Sequence, residues 1–148
     1  MISENQANLS PNIAADASPS PLANRAIFNF TGDVAFTIIG KVTTVIQGQA
    51  TTVKLSVVSD ALASFDICTT KDINGFLVGS LLSIDGTPGD AMIGTTGVGT
   101  AKRQTLQVVA TCITSGQITV TFGAASTGAI EWEIQWVPLN AQGNVTPA

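Results

Sequence analysis

The chain has 148 residues, the size of a single domain, and a formal net charge of −4 at pH 7. It contains no His, so it lacks the side chain on which Ser-His-Asp catalysis, Cys-His catalysis and imidazole zinc ligation depend. Charged residues make up 11% of the chain, against the about 25% that is usual in soluble domains. The few basic residues form no stripe that could neutralise phosphates, which argues against nucleic-acid binding.

Residues 1–25 are predicted to form an extended N-terminal arm. They are polar, are interrupted by Pro11, Pro19 and Pro21, and show neither the period of a strand nor that of a helix. Isolated apolar residues in the arm are candidate anchors, because an arm of this kind can become ordered on a partner. These candidate anchors are Ile2, Leu9, Ile13 and Leu22.

The N-terminus lacks the features of a targeting signal. No basic segment is followed by an apolar one there, and no stretch of the chain reaches the about 18 apolar residues that a membrane-spanning helix needs. We therefore expect a protein that is made in the cytoplasm and has no membrane partner.

Residues 26–140 are predicted to form a single antiparallel β-domain, a β-sandwich or a jelly roll, with residues 141–148 as a C-terminal tail. Short β-branched runs are separated by Gly, Pro, Asp and Asn at spacings typical of such all-β domains. The first two runs, 26–30 and 34–45, are separated by a predicted break around Gly32. Further strands are predicted at residues 53–57, 65–69, 106–112, 117–122 and 129–138.

Glycines indicate where regular strand pairing is interrupted. Gly40 lies inside an apolar run and is a candidate β-bulge, whereas Ser115 and Gly116 form a turn signal. Residues 72–102 contain seven glycines. This segment is therefore predicted to be a long, structured loop region.

The strand predicted at residues 129–138 has the clearest alternation in the chain. Its apolar residues, which are predicted to face the core, are Ile130, Trp132, Ile134 and Trp136. Glu131 and Glu133 lie on the opposite side, about 6.6–6.8 Å apart by strand rise. This separation resembles some glycosidase carboxylate pairs, but an exposed flat strand offers neither an apolar pocket nor a cleft.

Other chemical motifs in the sequence are incomplete. Residues 94–102 resemble a phosphate loop only superficially, because Thr100 stands where the pattern requires Lys. Residues 72–75 supply a fragment of a calcium loop without its remaining ligands. Cys68 and Cys112 lack a CxxC spacing, so two buried thiols are expected, with a disulfide as the alternative. We predict no enzymatic activity, no cofactor and no metal site.

Residues 78–92 and 126–139 resemble small virion proteins of tailed bacteriophages. The first segment reads Val-Gly-Ser-Leu-Leu-Ser-Ile-Asp-Gly-Thr-Pro-Gly-Asp-Ala-Met, and the second ends in Trp-Val-Pro-Leu. The resemblance covers roughly residues 60–140 and consists of a Gly- and Thr-rich loop followed by two hairpin strands. Within this group the chain looks most like capsid decoration, or cement, proteins.

The resemblance implies a β-sandwich or jelly-roll protomer that forms homotrimers on the outer capsid surface of the virion. Its implied partners are the major capsid protein, which the anchors of the arm would contact, and further copies of the same chain. Neutral side chains on a strand face whose only charge is Lys41 would lie at the protomer interfaces. These interface candidates are Thr37, Ile39, Thr43 and Val45.

The sequence leaves one alternative function open, a tail or head-fibre component with a receptor- or glycan-binding β-domain. Such a module would expose Trp132 or Trp136, since aromatic rings stack against sugars. Alternation with isoleucine favours a core position for both rings. Exposure of the two indoles in the structure therefore bears on this alternative.

Overall fold

The structure, a computed structural model, describes residues 15–17, 25–48, 51–96, 107, 111–124 and 126–148. Its named strands all pair antiparallel, which confirms the predicted all-β antiparallel class. The strands are β1 (Ala15–Ala17), β2 (Arg25–Gly48), β3 (Thr52–Ser59), β4 (Phe65–Asp66), β5 (Lys71–Asp72), β6 (Leu81–Ser83), β7 (Ile93–Thr95), β8 (Thr111–Phe122), β9 (Ser126–Pro138) and β10 (Asn144–Pro147). They form one curled sheet with the main order β1-β9-β2-β8-β3-β4.

Strand β2 runs through the centre of the sheet for 24 residues. It is rich in β-branched and aromatic residues, which fit a pleated, half-buried surface. Along one edge it pairs first with β10 and then with β9, and along the other edge first with β8 and then with β6. One strand therefore fixes the positions of four others.

The break predicted around Gly32 is a bulge inside β2 and not the end of a strand. Phe30 lies opposite Gly116 of β8, and Asp33 resumes the pairing opposite Thr114. Gly32 has a φ of +62°, in the left-handed region that favours glycine. The prediction of two separate strands is wrong. Glycine at a positive φ is typical of a bulge as well as of a turn, so the sequence signal at Gly32 does not distinguish the two.

Two other predictions from glycine are corrected by the register. The turn signal at Ser115 and Gly116 lies inside β8, opposite the β2 bulge, where Ser115 Oγ accepts a hydrogen bond from the Gly32 amide at 3.0 Å. Gly40 is not a bulge, since it pairs in continuous register with Trp132 of β9. Its small size serves packing instead.

Trp132 packs over Gly40 across the β2–β9 pair. A Cβ atom at Gly40 would lie 2.7 Å from Trp132 Cζ3, whereas carbon atoms in contact are about 3.5–4.0 Å apart. Trp132 is the largest of the fully buried side chains among the described residues. The missing side chain of Gly40 therefore makes room for the main aromatic residue of the core.

The core lies on the inner face of the curled sheet. Inward-pointing residues of β2, β3, β8 and β9 are apolar and buried, as the alternation predicts. The segment predicted as a loop region at residues 72–102 is described as far as residue 96. It covers part of this face with apolar side chains, and the buried ones are Ile73, Phe76, Leu82, Ile84 and Met92.

The loop between β9 and β10 is held against the β2 bulge by Asp33 and Asn140. Asn140 Nδ2 donates to Asp33 Oδ2 at 2.8 Å, and Asn140 Oδ1 accepts from the Asp33 amide at 3.2 Å. The Leu139 amide donates to the Asp33 carbonyl oxygen at 2.8 Å. These bonds align β9 and β10 end to end along one edge of β2.

Both terminal segments contribute strands to the sheet. Within the predicted arm, β1 pairs with β9 and places Ala15 opposite Trp132. Within the predicted tail, β10 pairs with β2, and its Val145 is buried. The sheet therefore includes residues on both sides of the segment 26–140.

Replacing Gly40 by Ala is expected to destabilise the fold by about 1–3 kcal/mol, because the added methyl group overlaps the Trp132 ring in a packed core. The matched control is Gly89→Ala, since a Cβ atom at Gly89 would meet no heavy atom within 4 Å. Urea unfolding should show a lower midpoint for Gly40→Ala and an unchanged one for Gly89→Ala. Equal midpoints for both variants would contradict the close packing.

Candidate functional site

The outer face of β2, on the side away from the core, carries two of the residues predicted at the protomer interface. The neighbouring Ile38 points inward and is buried, whereas Thr37 and Ile39 are half-buried on the outer side. Pairing with β9 places Gln135 opposite Thr37 and Glu133 opposite Ile39. Directly opposed residues share a face of the sheet, so these four side chains form one patch.

An open cavity of about 380 Å³ lies over this patch, and we call it the outer cavity. Among its described lining residues Glu133 is the one ionisable group, and the others are neutral. Such a lining can receive a neutral or partly apolar side chain of a partner, but it offers no acid–base pair for catalysis. The described lining residues are Thr37, Ile38, Ile39, Gln107, Glu133 and Gln135.

Gln107 closes a gap along the edge of β2 that borders the outer cavity. On this edge β8 pairs as far as Phe36, and β6 begins at Ile39. Gln107 Oε1 accepts a hydrogen bond from the Ile38 amide at 3.2 Å, and its Nε2 donates to the Phe36 carbonyl oxygen at 3.1 Å. The side-chain amide thus takes the place of a peptide group from a neighbouring strand and satisfies the backbone of β2.

The other two interface candidates, Thr43 and Val45, lie further along β2 and do not line the outer cavity. The register between β2 and β9 shifts twice in this part of the strand. Thr43 is exposed and Val45 is half-buried. The structure therefore brings together only half of the predicted interface set. Outside the described residues lie the four predicted arm anchors, Ile2, Leu9, Ile13 and Leu22.

Other acidic side chains on the described surface either accept hydrogen bonds within turns or lie on the outer face of a strand. Asp72 and Asp85 each accept a hydrogen bond from the backbone amide two residues further on, at 2.9 and 2.7 Å. This is the turn role that Asp commonly has. Glu131 and Glu133 are half-buried on the outer face of β9. Among the described residues, no group of three His, Cys, Asp or Glu side chains is placed to hold a metal ion.

Trp132 and Trp136 lie in the core, as the alternation along β9 predicts. Their side chains are 0% and 7% exposed, respectively. Neither ring presents a face to solvent on which a sugar could stack. Both indole Nε1 atoms are buried and have no hydrogen-bond partner in the described structure.

Both cysteines are free thiols. Cys68 is buried as expected, and burial raises the pKa of its thiol to about 11. Its Sγ accepts a hydrogen bond from the Leu55 amide at 3.3 Å. Cys112 is exposed, which corrects the expectation of a second buried thiol; it is the neighbouring Ile113 of β8 that points into the core.

A groove that the sequence did not predict lies where β3 meets the short strand β4. Lys54 Nζ forms an ion pair with Asp66 Oδ2 at 2.8 Å, and Ser56 Oγ donates to Asp66 Oδ1 at 2.6 Å. The hydrogen bond from Lys54, followed by that from Ser56, lowers the pKa of Asp66 below its ordinary value of 3.8. Phe65, 41% exposed, also lines the groove. The ion pair neutralises the charges of this groove and fastens β4 to β3.

Comparisons of the chain with models of protein families, with curated proteins and with solved structures find no match. The described part of the chain contains no helix long and apolar enough to cross a membrane. Any functional assignment therefore depends on the chemistry of the surfaces described above.

Replacing Asp66 by Asn should lower the free energy of unfolding at neutral pH by up to about 1 kcal/mol, since exposed ion pairs contribute little. Because the native pKa of Asp66 is lowered, its contribution is present above the ordinary value of 3.8 and is lost as the pH falls through the native pKa. The urea midpoints of Asp66→Asn and the unmodified chain should therefore converge in acid. The exposed Asp60 forms no ion pair with a described residue, and Asp60→Asn should have the urea midpoint of the unmodified chain at neutral pH. A constant deficit for Asp66→Asn down to the lowest pH would refute the assignment.

Proposed function

We propose that the protein is a structural virion component that binds the outside of an assembled bacteriophage capsid and stabilises it. The observation that carries the proposal is the outer cavity, whose described lining residues are neutral except for Glu133 and which is built on the central strand pair of the sheet. A neutral, partly apolar surface on rigid strands suits packing against another protein. It does not suit a charged ligand or an acid–base reaction.

The low charge of the whole chain supports the same proposal. With 11% charged residues, the surface is weakly protected against association. In an assembly this property is useful, because weak contacts that are repeated by symmetry add up to strong attachment. A protein that binds only the assembled shell also stabilises that shell by linkage. The proposed role requires no catalytic group and no cofactor.

The proposal divides the contacts between two parts of the chain. The outward row of β2 that includes Thr37 and Ile39 would pack against a neighbouring copy in a homotrimer. The N-terminal arm would contact the major capsid protein. Residues 1–8 are the part of the arm to delete in a test, because removing all of residues 1–25 would also remove β1 from the sheet.

The oligomer assignment predicts that Ile39→Lys weakens self-association. A lysine at this half-buried position would bring a charge into the interface, whereas Thr146→Lys places the same charge on an exposed site of β10. Light scattering after size-exclusion chromatography at micromolar concentration should give a trimer for the unmodified chain and for Thr146→Lys, and smaller species for Ile39→Lys. A monomeric unmodified chain would refute the interface.

The virion assignment is tested by the copy number of the protein in purified phage particles, measured by quantitative mass spectrometry against the major shell protein. Hundreds of copies per particle are expected for a protein that decorates a repeating shell. Chains lacking residues 1–8 should fold normally, as judged by thermal unfolding, but bind isolated heads less tightly. A handful of copies per particle would contradict decoration and indicate a fibre or tail component. Absence from the particle would overturn the virion assignment.

A further inference from the structure

We propose that Asn74 is a deamidation site whose reaction is held back by one backbone hydrogen bond to β2. Asn74 and Gly75 form the one Asn-Gly pair in the sequence. Both residues are exposed in the connection between β5 and β6. An asparagine side chain that precedes glycine is open to attack by the glycine nitrogen, because glycine has no Cβ to obstruct the ring that forms. The inference is independent of the proposed virion role.

The reaction requires only the chain itself and water. The Gly75 nitrogen attacks Asn74 Cγ, so that a new N–Cγ bond forms and the Cγ–Nδ2 bond breaks. The proton that the Gly75 nitrogen loses balances the one that the departing amino group gains as it leaves as ammonia. Water then opens the five-membered succinimide at either of its carbonyl groups. The product at position 74 is an aspartate or an isoaspartate.

Asn74 and Gly75 occupy the two central positions of a tight turn. The Phe76 amide donates a hydrogen bond to the Ile73 carbonyl oxygen at 3.1 Å, and Gly75 has a φ of +76°, which glycine adopts without strain. The Asp72 carboxylate accepts a hydrogen bond from the Asn74 amide at 2.9 Å. A Cβ atom at Gly75 would meet no heavy atom within 4 Å outside its chain neighbours. Crowding therefore does not protect the pair from cyclisation.

The protection comes from Ile46 of β2. The Gly75 N–H, which carries the nucleophile of the reaction, donates to the Ile46 carbonyl oxygen at 3.0 Å. The Ile46 amide donates in return to the Phe76 carbonyl oxygen at 2.9 Å. Attack on Asn74 Cγ requires the Gly75 nitrogen to lose its proton and to approach the side chain. The turn must therefore leave β2 before the ring can close.

Two buried side chains hold the turn against β2. Ile73 and Phe76, on either side of the exposed pair, are 0% and 5% exposed. A Cβ atom at Gly94 would lie 2.8 Å from Phe76 Cζ, so the Phe76 ring packs directly over β7. Weaker anchoring would raise the population of the open turn without unfolding the whole sheet. The deamidation rate of Asn74 should therefore report local opening of this turn.

An isoaspartate at position 74 would prevent the turn from closing again in the same way. This product adds one methylene carbon to the main chain before Gly75. The Gly75 amide and the Phe76 carbonyl group could then no longer both meet Ile46 in the present register. The new carboxylate would also add a negative charge two residues from the exposed Asp72.

Deamidation rates in the folded and the unfolded chain test the site and its protection. The full chain is incubated in mildly alkaline buffer with and without concentrated guanidinium chloride, and conversion is followed by peptide mapping with enzymatic labelling of isoaspartate. Asn144, which is exposed and precedes the β-branched Val145, is the internal control. Asn74 should react faster than Asn144 in denaturant and at least about tenfold more slowly in the folded chain than in denaturant. Equal rates of Asn74 in the two states would overturn the protection, and no preference for Asn74 over Asn144 in denaturant would overturn the site.

A pair of core variants distinguishes local opening from global unfolding. Phe76→Leu removes part of the ring that packs over Gly94, whereas Val145→Ala shortens a buried side chain of β10, which pairs with the other half of β2. Both variants should lower the urea midpoint, but only Phe76→Leu should accelerate conversion of Asn74 in the folded chain, by about tenfold. An unchanged rate in Phe76→Leu, or equal acceleration in both variants, would overturn local opening as the controlling step. If Phe76→Leu shows no cooperative unfolding transition, Gly94→Ala, which displaces the same ring, takes its place with the same expected result.

Discussion

The sheet depends on β2 remaining one continuous strand through its bulge at residues 31–33. If the chain turned at Gly32, β10 would pair with one strand and β6 and β9 with another, and of the described strands only β8, which pairs on both sides of the bulge, would join the two halves. The bulge is instead held by contacts on two sides. On one side, Ser115 of β8 accepts a hydrogen bond from the Gly32 amide. On the other side, the Asn140 side chain donates a hydrogen bond to the Asp33 carboxylate and accepts one from the Asp33 amide. A local irregularity is therefore stabilised by residues more than 80 positions away, and this makes the two halves of the sheet one unit.

Continuity of β2 also determines which surfaces are available to a partner. Described strands occupy both of its edges over most of its length, and Gln107 fills a gap between two of them. The inner face is filled by the core. Among the described residues, what remains is the outer face over the β2–β9 pair, with the outer cavity. The edge of β9 next to it pairs with β1 at Ile130–Trp132, and no described strand pairs with it at residues 133–138.

The sequence predicted those parts of the fold that depend on a local pattern. Alternation along residues 129–138 identified the buried and outer faces of β9, because each side chain's environment there follows its place in the pleat. It could not separate a bulge from a strand end at Gly32, since both need a residue that tolerates a positive φ. It also could not identify Gln107, whose role exists only because β6 and β8, distant in sequence, stop short of one another on β2. Only Thr37 and Ile39 of the interface set share the outer cavity, because register shifts separate Thr43 and Val45 from them.

Two features of the described structure bear on the same physical problem, namely the low charge of the chain and an edge of β9 that no described strand pairs with at residues 133–138. An exposed edge is a template for uncontrolled association, and natural proteins commonly protect it with charges, short strands or a covering segment. With 11% charged residues, this chain has few charges to use. Among the described residues, β1 covers part of this edge, opposite Ile130–Trp132. The outer face is where the proposed contact would form, because Glu133 is the one ionisable group in the described lining of the outer cavity. In the proposed capsid role, a covered edge beside an open outer face would separate specific attachment from uncontrolled self-aggregation.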